Sequence, residues 1–292
     1  MIHKNKEEFV RALERASKAK EFLLPLLEKD YYITLILSRI DGLTKDLVLK
    51  GGTCLSKVFY TYYRLSEDLD FSMRLPDYTV TRGERRKIIK PVKDNIEKFA
   101  EQFGMKIEDT ENPGRDESRQ YIYYFIYQSA LRPIEAKIKF EIGLRYSPIC
   151  KIDKRKVNHN FLHPFTGEPL FDGGMVNCLS LDELVAEKLR AAVTRGIIAP
   201  RDFYDVDFVL RHGFNLADKK VIDLFKKKLE EDNKDTDLDK YHINLGRKDK
   251  EIRDMKSRIK EELFEVLTPN ERKNFDIDQA LKRINEAMGR RK

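Results

Sequence analysis

The sequence predicts an α+β fold: a mixed sheet with flanking helices, followed by a mainly helical C-terminal domain. Three observations predict it. Strand-like and helix-like segments both occur before residue 212, but without the regular alternation that builds a doubly wound sheet. Two β-rich segments, 120–129 and 133–144, follow one another across Arg132-Pro133 and read as a hairpin. After His212-Gly213 the composition shifts to Lys, Asp and Glu with sparse Leu, Ile and Phe at helical spacing, and no strand pattern remains. The expected domains are 1–212 and 213–292.

Taken in order, residues 6–40 carry apolar positions at helical spacing, including Phe9, Leu13, Ala16, Ile33, Ile36, Leu37 and Ile40, and read as two helices broken near Pro25. Leu47-Val48-Leu49 is a short apolar run that ends at Gly51-Gly52-Thr53, before an amphipathic stretch through Tyr60. Strand, glycine turn, helix is the natural parse. Residues 64–74 alternate polar and apolar closely enough for a half-buried strand, and Arg82 to Phe103 reads as a long polar helix. Residues 145–179 look loop-rich, with Pro148, Pro164, Pro169 and Gly173-Gly174. Ser180, with Glu183 three residues on, has the spacing of a capping box at the start of the next helix. Pro200-Arg201-Asp202 opens another, with Pro and Asp both favoured in a first turn. The C-terminal part, 214–292, reads as helical and is interrupted by the polar stretch Glu230 to Asp239.

Composition bounds the function classes. A chain of 292 residues with 41% hydrophobic content can bury a full core, which excludes a disordered or fibrous protein. The 57 basic and 50 acidic side chains leave a formal charge of +7, an excess that permits a polyanionic partner without demanding one. Cys54, Cys150 and Cys178 are widely spaced and form no C-x-x-C pair, so they read as reduced thiols, not as a zinc site or disulfide frame. The first twelve residues lack the apolar core of a signal peptide, and no apolar stretch approaches a membrane span. The expectation is a soluble, cytoplasmic protein without membrane contact.

The chemistry centres on Asp68 and Asp70. One residue apart on an expected strand, they point to the same face while Leu69 and Phe71 enter the core. Their backbones lie roughly 6–7 Å apart, close enough for the carboxylates to share a hard cation. Magnesium, held by a few carboxylates together with substrate phosphates, would remove their repulsion. A D-x-D pair alone is as readily a solvated acidic strand face. The turn Gly51-Gly52-Thr53 adds weight by its place one helix before that strand: glycines let backbone N–H groups approach a phosphate, the following helix presents its positive end, and Thr53 can add a hydroxyl. Two-metal phosphoryl chemistry asks for a third carboxylate from a neighbouring strand. In residues 135–142, Glu135, Lys137, Lys139 and Glu141 share one face, and Glu141 is the choice, against the alternative of an exposed edge-strand charge paired with Lys139.

Two further residues draw attention. Lys188 lies at the centre of an apolar stripe formed by Leu181, Leu184, Val185, Leu189 and Ala192, so it must find an anion or extend out of the stripe. The anion is either a triphosphate or a carboxylate of the next helix. Asp205 lies beside Val206 and Val209 and either pairs with Lys188 or bears on an acceptor.

At this point four ordered motifs coincide: Lys50-Gly-Gly-Thr-Cys-Leu55, Arg64-Leu-Ser-Glu-Asp-Leu-Asp-Phe71, Glu187-Lys-Leu-Arg190 and Arg201-Asp-Phe-Tyr-Asp205. Together they resemble the AbiEii/AbiGii toxin family of nucleotidyltransferases, which includes the MenT toxins, within the polymerase-β-like superfamily. The resemblance covers roughly residues 30–212. It implies a nucleotidyltransferase fold with a following helical domain, magnesium as cofactor, a nucleoside triphosphate substrate and an RNA acceptor, the tRNA 3′ end in some relatives. It also implies a toxin with a cognate antitoxin. Carried onto this chain, Gly51, Gly52 and Thr53 would hold the triphosphate, Arg64 and Ser66 would flank the phosphates, Asp68 and Asp70 would hold the metal, and Lys188 and Asp205 would fill the remaining motif roles. Leu65 stands where the family commonly has Phe. Rival readings keep the fold but change the acceptor to a small molecule or a protein hydroxyl, or reduce the chain to a non-catalytic RNA-binding module. The basic segments Lys151 to Lys156 and Arg247 to Lys260 favour RNA, although charge runs on helices are usually solvated faces.

Overall fold

The computed structural model describes residues 1–76, 80–108 and 113–289. The chain divides into two compact units, Met1–Leu179 and Ser180–Lys292. The expected boundary at 212 differs in position: the two helices between 181 and 211 pack with the C-terminal helices.

In the first unit, α1 (Lys6–Lys20) starts at Asn5, whose side chain accepts the Glu8 N–H at 3.2 Å, and buries Phe9, Ala12, Leu13 and Ala16. Pro25 stands in the first turn of α2 (Leu24–Ser38), where its missing N–H costs nothing, and this is the break between the helices. Residues 31–37 of α2 are all buried. The sheet is built from β1 (Leu47–Lys50), β2 (Leu69–Met73), β3 (Lys106–Ile107), β4 (Gly114–Arg115), β5 (Gln120–Gln128), β6 (Glu135–Gly143), β7 (Asp153–Lys156) and β8 (Met175–Cys178). Its order is β3-β5-β6-β2-β1-β8-β7, with β4 also pairing β5. The sheet is mixed: β1 runs antiparallel to β2, β2 parallel to β6, and β5 and β6 form the expected antiparallel hairpin. Between β1 and β2, α3 (Gly51–Cys54) runs directly into a π-helical turn, Leu55–Phe59.

The core forms where alternation along β2, β5 and β6 sends aromatic rings to one side. Phe71 lies 5.0 Å from Phe140, Phe140 lies 5.3 Å from Phe125, and Phe99 of α4 (Arg82–Glu101) closes the cluster 6.3 Å from Phe125. Each such side chain contributes about 1.5–3 kcal/mol when fully buried. A capping box between Thr81 and Glu84 starts α4.

Two expectations need correction. The strand expected over 64–74 is confined to β2, so Asp68 immediately precedes it. The loop expected over 145–179 contains β7 and β8, which extend the sheet beyond β1.

The second unit comprises α5 (Leu181–Thr194), α6 (Pro200–Arg211), α7 (Lys219–Glu231), α8 (Asp249–Glu262), α9 (Pro269–Asn274) and α10 (Ile277–Gly289). α5 packs on α6 and α7, and α6 on α8 and α10. The Ser180 hydroxyl accepts the Glu183 N–H at 3.3 Å, as the sequence suggests. The Glu183 carboxylate, expected to complete a capping box, is fully buried and instead meets Lys228 at 3.0 Å.

Candidate active site

β1 ends at Lys50, which stands opposite Asp70 in the antiparallel register, and the chain then turns at Gly51. Gly51 has a left-handed φ of +71°, and a Cβ there would stand 2.6 Å from Asp70 Oδ2. Only glycine suits both the backbone and the close approach. A Cβ at Gly52 would stand 2.3 Å from an Arg64 guanidinium nitrogen and 3.2 Å from the Ser66 hydroxyl. The turn is therefore pressed between a carboxylate on one glycine and a cation and hydroxyl on the next.

Asp68 and Asp70 flank Leu69 and are partly exposed, whereas Leu69 and Phe71 are fully buried. Thr53 is itself buried, and its hydroxyl donates to the Asp68 carbonyl at 2.5 Å. It fastens the start of β2 to the glycine turn. Arg64 is buried too, donating to the Leu65 carbonyl at 2.8 Å.

On β6, Glu141 stands beside Asp70 in the parallel register. β6 is an interior strand, and Glu141 is held by Lys139 at 2.5 Å and by Gln120 at 2.6 Å. The pairing with Lys139 weighed from sequence is thus present, but on a strand inside the sheet and within the electrostatic reach of the other carboxylates. Burial pushes the Asp70 carboxyl above its ordinary range, and the charges of Glu141 and Asp68 push the same way against Lys50 and Lys139. Glu141 behaves oppositely: burial acts to raise it, but Lys139 and Gln120 stabilise its charge and hold it below the usual range. Sequence reasoning named Lys139 as a partner of Glu141 but assigned Lys50 no role at this site. The signal for Lys50 was its place at the end of an apolar strand beside the glycines.

Lys188 and Asp205 belong to the second unit. Lys188 is ion-paired with Asp202 at 3.0 Å and with Asp205 at 2.8 Å, so its anion within that unit is the pair of carboxylates on the next helix. Asp202 also meets Arg195 at 3.1 Å.

A metal is implied by this chemistry, and the first unit's residues suit one. Among the described residues, no group of three His, Cys, Asp or Glu side chains is arranged to hold an ion unaided. Magnesium does not need one, because it usually takes one or two carboxylates and completes its shell with water and substrate phosphates. The burial and carboxylate repulsion that together raise Asp70, and the side-chain-free surface of Gly51 beside its oxygen, fit that mode. A cavity of about 390 Å³ in the same unit, lined by residues 156–159, Pro169 and residues 171–173, has different walls: its histidine, His159, is stacked on Phe171 and hydrogen-bonded to the Phe171 carbonyl.

The fold is shared with solved nucleotidyltransferases, and the chain is an enzyme of that class. It is similar over 95% of its length to MenT4, a nucleotidyltransferase toxin of Mycobacterium tuberculosis H37Rv, at 17% identity, 97% coverage of that chain and a TM-score of 0.59. JHP933 from Helicobacter pylori is similar at 17% identity, with 92% of each chain covered and a TM-score of 0.52. No curated protein sequence matches it significantly. The chain belongs to the AbiEii family, whose model, nucleotidyl transferase AbiEii toxin of type IV toxin–antitoxin systems, matches residues 35–287. Membership brings a nucleoside triphosphate substrate and a cognate antitoxin. Among the described residues, no helix is long and apolar enough to cross a membrane.

Proposed function

We propose that the protein transfers a nucleotide from a nucleoside triphosphate to a hydroxyl at the 3′ end of an RNA, a tRNA in the first instance, in a magnesium-dependent reaction in the cytoplasm. The observation that carries this reading is the contact between the glycine turn and Asp70, since it sets a carboxylate against backbone that a phosphate can approach. MenT4, with the same fold, is a nucleotidyltransferase toxin.

In the reaction the acceptor hydroxyl attacks the α-phosphorus and gives up its proton to solvent water, the new P–O bond forms as the bond to the β-phosphate bridging oxygen breaks, and pyrophosphate departs with the electron pair. Asp68 and Asp70 would hold magnesium, with Glu141 joining once it leaves Lys139. Bound there, the metal would lower the pKa of the attacking hydroxyl and neutralise charge on the departing group. The protein's own part is positioning. The Gly51-Gly52 backbone lies against the triphosphate, the Arg64 guanidinium beneath Gly52 supplies fixed positive charge, and Ser66 lies beside it. Thr53 keeps Asp68 in register with the turn. Lys188 and Asp205 enter the proposal through the family motif, as catalytic residues whose ion pair must be maintained or exchanged during turnover.

Incubation with each α-labelled triphosphate, magnesium and total RNA tests the reading. Label is expected at RNA 3′ ends and absent with Asp70→Ala. Label on a protein or small molecule instead would transfer the proposal to that acceptor class, and equal labelling by the variant would remove Asp70 from the reaction.

A further inference from the structure

The segment that continues from Gly51-Gly52-Thr53 is wound wide. Leu55–Phe59 is a π-helical turn, closed by the Tyr60 N–H on the Leu55 carbonyl at 2.8 Å, and the Tyr62 N–H then bonds the Ser56 carbonyl at 3.0 Å. Tyr62 has a left-handed φ of +56°. Such turns are rare, and left-handed backbone outside glycine persists where surrounding structure over-determines it.

Here the surrounding structure is a closed polar network. Lys57, in the middle of the π turn, is 1% exposed, and its ammonium spends its three donors on Asp30 at 2.7 Å, Thr34 at 2.8 Å and the Tyr62 hydroxyl at 2.9 Å. The Tyr62 hydroxyl donates to the second Asp30 oxygen at 2.6 Å, and Thr34 donates to the Asp30 carbonyl at 2.7 Å. The Lys57 carbonyl accepts both the backbone N–H and the side-chain amide of Asn158, each at 2.9 Å. A buried ion pair is a poor source of stability, because apolar residues of the same volume often hold a core equally well. Burial lowers the Lys57 pKa while Asp30 opposes the shift, which shows the same tension. What the network supplies is a fixed position for the π turn against α2.

We propose that Lys57, Asp30 and Tyr62 are positioning residues for nucleotide transfer: by pinning the π turn to α2 they hold the Gly51-Gly52-Thr53 backbone against Asp70, Arg64 and Asp68. The inference rests on the transfer reaction proposed above. It requires that α3 and the π turn move together, as their unbroken winding provides.

The variant Asp30→Leu/Lys57→Met/Tyr62→Phe removes the network at nearly constant volume and leaves Thr34 bonded to the residue-30 carbonyl. Two readouts are taken: amide hydrogen exchange over residues 51–57 and over 138–142 of β6 in substrate-free protein, and steady-state transfer kinetics. The expected result is exchange about tenfold faster over 51–57 with 138–142 unchanged, and kcat/KM for the triphosphate lower by on the order of a hundredfold. Unchanged exchange, equally faster exchange in β6, or faster exchange with wild-type kinetics would each overturn the inference. Should the triple variant not fold, Asp30→Asn replaces one accepting oxygen by a donor and removes the negative charge, which weakens the network, and the same comparison decides. Absence of transfer by the wild-type protein overturns the transfer reading itself, whereas wild-type transfer with an unaffected variant overturns only the positioning role.

Discussion

Burial and the neighbouring carboxylates raise the pKa of Asp70 above its unfolded value, so the folded protein holds a proton there more tightly than the unfolded chain. The sign follows: the penalty is absent below the unfolded pKa, grows as pH rises through the folded pKa, and is complete above it. Glu141 runs the other way, its stabilising contribution present above its unfolded pKa and lost as pH falls through the lowered folded one. Asp70→Asn is therefore expected to raise the melting temperature of metal-free protein at neutral pH by a few degrees, because each kcal/mol moves a domain of 150–250 residues by about 2–4 °C. That gain should vanish near pH 4, roughly the ordinary Asp range, while transfer activity is lost. Thermal melts at both pH values check it. Gly52→Ala forces a methyl onto Arg64 and Ser66. We expect weaker triphosphate binding with the secondary structure retained, measured by titration and circular dichroism. The glycines, the D-x-D pair and the pairing of Glu141 with Lys139 were legible in the sequence because spacing alone sets them, whereas the approach of Lys50 to Asp70 was not, since the pairing of β1 with β2 sets it.

At the scale of elements, α1, α2 and the β5–β6 hairpin could be read directly, because helical spacing, Pro25 and strict alternation each leave a clear pattern. β7 could not. Its residues Asp153–Lys156 are all charged and it closes an edge of the sheet, so it buries almost nothing that would betray a strand. β8 is only four residues long and follows Gly173-Gly174, which reads as a loop. The ion pairs between α5 and α6 show what a helical pattern does reveal: a lysine in an apolar stripe finds carboxylates on the neighbouring helix. Lys188→Met leaves two buried carboxylates with one fewer cation, and the expected cost is about 3–5 kcal/mol. Urea unfolding measures it. A loss of transfer with stability unchanged would instead assign Lys188 to the reaction alone.

At the scale of the molecule, the two compact units carry different parts of the family's motifs. Met1–Leu179 holds the glycine turn and the acidic strand, and Ser180–Lys292 holds the Lys188–Asp205 pair. The family model spans both, from residue 35 to 287. In the proposed reaction Asp70 and the glycine turn form one metal–triphosphate site. Calorimetric titration with a non-hydrolysable triphosphate, with magnesium and with a chelator, tests whether they do. Magnesium is expected to strengthen binding to the wild-type protein, and Asp70→Asn is expected to lose this gain. Equal binding by both proteins, or binding indifferent to the metal, would contradict it.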